Sequence, residues 1–267
     1  IRTMSTPKAL VLRNAGINCD AETVRALQGA GAEVDLLHLS AMVAEPARFD
    51  DYQVLVIPGG FSHGDDIAAG RVFSTELIHF LSGELQNYVD RGGLALGICN
   101  GFQVLVETGL LDGSAGKRAE RQIALYDNAS MKFECRWVHL ETQETACPWL
   151  VPGEVWPVPV AHAEGRFAVR DEATLAGLYE RGQVALKYVT SDGGVPTYPE
   201  DPNGAVDHIA GVCDPTGRVL GLMPHPERNL TPWNHPTWTR MGQRDTGEGA
   251  RFFERLVDVA RGATVAG

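Results

Sequence analysis

Cys99 stands in the pentapeptide Gly97-Ile98-Cys99-Asn100-Gly101, a thiol flanked by glycines where an apolar run passes into a helix-like pattern. That spacing is the cysteine form of the strained strand-to-helix turn that lifts a nucleophile above a sheet. The glycines have a mechanical reason, because a side chain at either position would collide where the strand reverses into the helix. Unpaired N–H groups at a helix start favour the thiolate, lowering a thiol pKa from its ordinary value of about 8.5. On this reading the sulfur faces solvent. A buried structural cysteine beside two loop glycines would leave the same pentapeptide, so the chemistry needs a second group.

Pro224-His225-Pro226-Glu227 supplies one. Neither proline can extend the apolar strand before it, so imidazole and carboxylate are pushed into a loop. His225 as acceptor of the thiol proton, with Glu227 fixing its tautomer, completes a nucleophile, base and orienter. A third element, Pro58-Gly59-Gly60-Phe61-Ser62, turns tightly after the run QVLVI and falls at the same carboxyl edge as Cys99. Negative charge on a carbonyl oxygen under attack would be met there by the N–H of Gly60 and the N–H of Asn100, each such donor contributing on the order of 10²–10³ in rate. Glycine after proline is also how any strand turns a corner. His63, His79 and His235 read as surface or packed residues. No two histidines lie at metal-ligand spacing, and Gly64-Asp65-Asp66 reads as a loop or helix start rather than a cation site, so no metal is expected.

These groups need a frame. Strands are expected at Lys8–Leu12, Glu33–Leu37, Gln53–Ile57 and Leu94–Ile98. Helices are expected from an Asp20 N-cap to about Ala30, from Ser74 to Val89 and from Asn100 to Glu107. Apolar strands alternating with helices imply a mostly parallel sheet with helices on both faces. Past Gly113 come shorter, mixed or antiparallel strands: Met131–His139, Val184–Val189, Ile209–Cys213 and Arg218–Met223, the last two a hairpin or two neighbouring strands separated by Pro215-Thr216-Gly217. A closing helix spans Gly247–Ala260. The expected class is α/β in one domain, residues 8–262, with an N-terminal extension 1–7 and a tail 263–267. Residues 1–3 before Met4 are an upstream extension or a cloning remnant.

With 267 residues, 44% hydrophobic and 21% charged, the chain can bury a large core without staples. A net charge of −11 with no Lys/Arg cluster excludes a phosphate-backbone partner, so no nucleic acid is expected. Five cysteines without a C-x-x-C pair fit a reducing cytoplasm, and no apolar run approaches the length that crosses a bilayer, so no membrane is expected.

The glycine turn, the G-x-C-x-G turn and the His-Pro-Glu segment, in that order along the chain, resemble the triad-type (class I) glutamine amidotransferases. Longer segments narrow the likeness: residues 58–70 (PGGFSHGDDIAAG), 96–105 (LGICNGFQVL), 127–137 (DNASMKFECRW), 160–167 (VAHAEGRF) and 198–228, ending in MPHPER. They look like the family of glutaminase components of phosphoribosylformylglycinamidine synthases, over roughly residues 8 to 260. The resemblance implies a flavodoxin-like three-layer fold and attack of Cys99 on the side-chain amide of L-glutamine. A glutamyl thioester then forms, and ammonia passes to an ATP-dependent synthetase subunit, with or without a small third subunit. It implies no cofactor in this chain, ATP and magnesium belonging to the partner. By motif position it places Phe61, Gln103, Asn128 and Ser130 at the glutamine, and His162 and Glu164 at the partner interface or ammonia path. His63 stands where relatives commonly carry tyrosine, and the segment 229–248 is like the tail of long single-chain relatives.

Two other readings use the same residues. A cysteine peptidase or esterase would keep the turn and change the substrate, against which Gln103 and the 128–130 segment speak. A non-catalytic binding module would have no chemical need for Cys99, His225 and Glu227 together.

Overall fold

The computed structural model describes residues 6–114 and 117–262; the expected tail 263–267 and all but Thr6 and Pro7 of the expected extension lie outside them. In chain order the first half comprises β1 (Lys8–Arg13), α1 (Asp20–Gly29), β2 (Glu33–His38), α2 (Leu39–Ala44), β3 (Val54–Ile57), α3 (Arg71–Asp90), β4 (Leu94–Ile98) and α4 (Asn100–Thr108). The second comprises β5 (Ile123–Asp127), β6 (Glu134–Thr142), β7 (Val155–His162), β8 (Glu164–Val169), α5 (Glu172–Glu180), β9 (Val184–Val189), β10 (Ile209–Cys213), β11 (Val219–Leu222) and α6 (Glu248–Ala260).

Nine strands form one sheet in the order β2-β1-β3-β4-β11-β10-β9-β6-β7. The members from β2 to β11 pair parallel and the rest antiparallel. β3 and β4 are buried at every position, as strands covered on both faces must be. Order explains the layers. From β1 the chain steps outward to β2, and from β3 it steps the opposite way to β4, so right-handed crossovers put α1 and α3 on opposite faces. Accordingly α1 packs on α6, and α3 on α4. β5 and β8 form a separate two-stranded ribbon.

Boundaries moved where local backbone chemistry intervened. The strand expected from Met131 starts at Glu134, because Met131 has φ 55° and its N–H closes a turn onto Asn128 O at 2.8 Å. Asp20 is the first helical residue rather than the cap; Cys19 holds the cap position, and the Asp20 carboxylate accepts from Arg13 at 3.1 Å. The helix expected from Ser74 begins at Arg71, following Gly70 in the left-handed region at φ 70°. The hairpin at Pro215-Thr216-Gly217 forms as expected, Gly217 N–H bonding Asp214 O at 2.9 Å. Among the described residues no helix is long and apolar enough to cross a membrane.

Candidate active site

β4 and β11 are parallel neighbours in a register that sets Ile98 opposite Leu222. The chain therefore leaves β4 at Cys99 and β11 at Met223 side by side, and Cys99 N–H donates to Leu222 O at 2.8 Å. Strand pairing is thus the reason that two segments remote in sequence share one sheet edge. Cys99 itself has φ 52° and ψ −107°, a strained conformation for a residue with a Cβ. Its flanking glycines admit nothing larger: a Cβ on Gly97 would lie 2.5 Å from Gly101 O, and one on Gly101 would lie 1.8 Å from Ile57 O.

The thiol and imidazole meet behind the glycine turn. A Cβ on Gly59 would lie 2.8 Å from His225 Cε1, 3.3 Å from Cys99 Cβ and 3.3 Å from Cys19 Sγ, so all three groups converge on one glycine. His225 Nδ1 is 2.6 Å from Glu227 Oε1, and both side chains are buried. Nδ1–H donates to the carboxylate, and Nε2, without a partner among the described residues, is the nitrogen left to exchange a proton with the thiol. Burial alone would lower the His225 pKa, but the charges of Glu227 and of the Cys99 thiolate outweigh it and hold the imidazole well above its ordinary value. β7 fixes the backbone here, His225 N–H bonding Pro159 O at 2.9 Å.

The Cys99 sulfur departs from expectation. The residue is 5% exposed and its sulfur lies 3.6 Å from Ala161 O, against a partly open cavity rather than the outer surface, because the end of β7 covers the turn. That cavity, about 210 Å³, has Gly60, Phe61, Cys99, Gln103, His162 and Glu164 in its wall, together with Asp65 and Asp127. Gly60 N–H has no partner among the described residues, and Asn100 N–H opens α4, ahead of any intrahelical carbonyl. The two are tied through the Asn100 side chain, whose Oδ1 accepts from Ser62 N–H at 3.3 Å and whose Nδ2 donates to Asp65 at 3.1 Å.

The expected glutamine-contacting residues divide. Phe61 is half-exposed at the rim, near Phe133. Gln103 is buried in the wall with its amide engaged, accepting from Asn100 at 2.9 Å and donating to Glu164 O at 2.5 Å. Asn128 and Ser130 do not line the cavity. Asn128 Nδ2 holds two carbonyls, Lys132 O at 2.9 Å and His162 O at 2.8 Å, and the Ser130 hydroxyl is 2.5 Å from Glu134. Asp127, at the end of β5, is the residue of that segment that reaches the wall. His162 is 3% exposed and cannot form a partner surface; its Nδ1 bonds Asn128 Oδ1 at 2.9 Å. Burial, then the charge of His225, depress the His162 pKa to about 3. Burial raises Glu164 and Asp65 instead, reinforced in Glu164 by the charges of Asp127 and Asp65.

Sequence spacing gave no sign of Cys19 or Arg228. Arg228 Nη2 donates to Cys19 Sγ at 3.0 Å and its Nε to Glu22 at 3.3 Å, bracing the side of His225 at which α1 begins. Cys19, His225 and Glu227 also offer ligand atoms within 4.8 Å of one another. The Arg228 guanidinium already stands against that sulfur and opposes a dication there.

A thiol on a strained strand-to-helix turn, an imidazole that exchanges a proton with it and a carboxylate behind the imidazole are the equipment of a cysteine amidase on an α/β sheet. The chain belongs to the CobB/CobQ-like glutamine amidotransferase domain family, whose model matches residues 6–258. It is 43% identical over 234 residues to the phosphoribosylformylglycinamidine synthase subunit PurQ of Methanococcus maripaludis strain S2, covering 87% of this chain and 86% of that one. It is 38% identical over 260 residues to the subunit of the same name from Dehalococcoides mccartyi, covering 97% and 99%. Among solved structures it superposes on a chain of PurLQS from Thermotoga maritima with a TM-score of 0.71 at 32% identity, covering 96% of this chain and 99% of that one.

Proposed function

We propose that this chain is the glutaminase component of a phosphoribosylformylglycinamidine synthase in purine biosynthesis. Residues 8–262 act as one amidotransferase domain. The observation that carries the reading is the convergence of Cys99 and the His225–Glu227 pair on Gly59, at the wall of a cavity sized for a small molecule. The Cys99 thiolate attacks the side-chain amide of glutamine, and the developing oxyanion is received by the N–H groups of Gly60 and Asn100. His225, charged by the thiol proton and held by Glu227, gives that proton to the departing nitrogen. Water then attacks the thioester and releases glutamate. The acidic wall of Asp65, Asp127 and Glu164 fits the α-ammonium of an amino-acid substrate.

Ammonia is the useful product, passed in the cytoplasm to an ATP-dependent synthetase subunit, with or without a small third subunit. The naming of the relatives and the PurLQS likeness support this partnership. The test is the complex with the synthetase, given glutamine or ammonium salt. Cys99→Ala loses glutamine-dependent synthesis by at least about 10³-fold, as loss of a nucleophile does, and keeps ammonium-dependent synthesis. Loss of both activities, or cleavage of peptides without release of ammonia from glutamine by the unmodified chain, would overturn the reading.

A further inference from the structure

We propose that His63, Glu76 and Asn14 form a junction that holds the Gly59–Gly60 peptide with its N–H turned into the glutamine cavity, which makes His63 a positioning residue for the transition state. The assignment rests on the glutaminase reading above and on the place given there to the Gly60 N–H. It starts from a peptide that cannot hold itself. A glycine stands on each side of it, Gly60 has φ 140°, and the turn continues through His63 at φ 52°, Gly64 at 70° and Asp65 at 54°. Residues other than glycine persist in the left-handed region only where their surroundings impose it.

The restraint comes from residues 14–19, between β1 and α1. Cys19 N–H donates to Gly59 O at 3.2 Å. In a trans peptide the C=O and the following N–H point opposite ways, so a Gly59 carbonyl fixed against Cys19 sends the Gly60 N–H away from this segment. Ile17 and Gly60 pair as an isolated antiparallel bridge, and Phe61 N–H bonds Gly16 O at 3.1 Å beside it, which turns the Gly60 N–H the same way. Gly60 lines the cavity on that other side, in the wall it shares with Cys99.

One oxygen secures both sides of this arrangement. Asn14 is buried; its Oδ1 accepts from Ala15 N–H at 2.9 Å and its Nδ2 donates to Glu76 Oε2 at 2.5 Å. His63 Nε2 lies 3.2 Å from the same oxygen, and His63 N–H bonds Ala15 O at 2.8 Å. A carboxylate only accepts, so Nε2–H is the donor, whether or not Nδ1 carries a proton. Glu76, on α3, thus ties the turn through His63 and the segment facing it through Asn14. The oxyanion exists only during the reaction, so a loosened junction costs turnover and leaves the affinity for glutamine alone.

The experiment measures glutamine turnover in the complex with the synthetase. His63→Phe keeps a ring and drops the donor, and kcat falls about tenfold, part of the 10²–10³ that one oxyanion donor contributes, while synthesis from ammonium salt is unchanged. His63→Gln, which offers an N–H to Glu76, restores most of the rate. Glu76→Leu loses at least as much as His63→Phe, and the double variant loses no more than Glu76→Leu, because the two side chains act as one unit. A second measurement separates positioning from damage to the fold. L-Glutamate γ-semialdehyde takes the Cys99 sulfur at its carbonyl carbon and leaves an oxygen where the oxyanion would stand, so His63→Phe weakens its inhibition by the same factor. Binding of glutamine to the Cys99→Ala complex stays the same with or without His63→Phe, whereas a damaged fold would lose both. Equal defects in His63→Phe and His63→Gln, a further loss in the double variant, or semialdehyde inhibition that ignores His63→Phe overturns the assignment. Failure of the unmodified complex to take ammonia from glutamine would instead strike the parent reading.

Discussion

In the parallel half of the sheet the nucleophile at the cavity is held by backbone, whereas in the antiparallel half the wall is held by side-chain hydrogen bonds. Cys99 owes its position to strain at φ 52° and to glycines packed against main chain, Gly101 with no room for a Cβ beside Ile57 O and Gly97 with none beside Gly101 O. Across the cavity, His162 is placed by Asn128, and the strand after it by Asn203, whose Nδ2 donates to Gly165 O at 2.8 Å and to the Tyr188 hydroxyl at 3.2 Å. The difference teaches how each half can be altered. A backbone-held nucleophile tolerates no edit nearby, since any side chain meets main chain. A side-chain-held wall can be changed one polar atom at a time, which is how specificity and product handling can be tuned without moving the thiol.

The sharpest test of the first half is the pair that serves the thiol. Glu227→Gln leaves the shape of the site and removes the charge that fixes the imidazole, so glutamine turnover in the complex falls by about 10²–10⁴. A fall below tenfold in steady-state assays would mean that the carboxylate is idle. Next in size is Gly101→Ala. Its new methyl would occupy the Ile57 carbonyl, and denaturant unfolding should register a loss of about 4 kcal/mol or more, the range of buried strain with no room to relax.

The antiparallel half answers to acid. The folded pKa of His162, about 3, lies below its unfolded value of 6.5, so the unfolded chain binds the proton first and stability falls as pH drops from 6.5 toward 3. The total is a few kcal/mol, and His162→Gln should flatten the unfolding free energy across that window. His225 has the opposite sign. Its raised folded pKa gives a contribution complete below pH 6.5 that is lost as pH rises through the folded value, and Glu227→Gln should abolish that alkaline loss. Identical acid profiles for wild type and His162→Gln would break the contrast. The smallest effect is a control for the glycine argument: Gly83, in α3 with nothing within 4 Å of an added Cβ, should accept alanine with a gain of about 0.5–1 kcal/mol.

Much of the parallel half was legible from sequence because its rules are local. Buried strands read as continuous apolar runs, and the elbow glycines recur at fixed offsets from Cys99, where sterics leave no alternative. The antiparallel half follows from partners instead. Asn128 resembled a substrate contact until its three hydrogen bonds tied it to His162 and the neighbouring turn. His162, expected at the partner interface or the ammonia path, is interior for the same reason, which removes the first of those two places. Cys19 and Arg228 carried no signal, since nothing in the order of residues says that the start of α1 packs behind His225. Expecting the sulfur in solvent failed because the covering strand, β7, enters the site from another part of the chain.

The central claim is that Cys99, of the five cysteines in the chain, is the thiol that attacks glutamine. A chloroketone analogue of glutamine, added to the complex with the synthetase and followed by intact-mass and peptide mass spectrometry, tests it directly. The account predicts one adduct per chain, on Cys99, suppressed by glutamine and absent from Cys99→Ala. Glutamine-protected labelling of Cys19 or of the exposed Cys135, with Cys99 untouched, would contradict it.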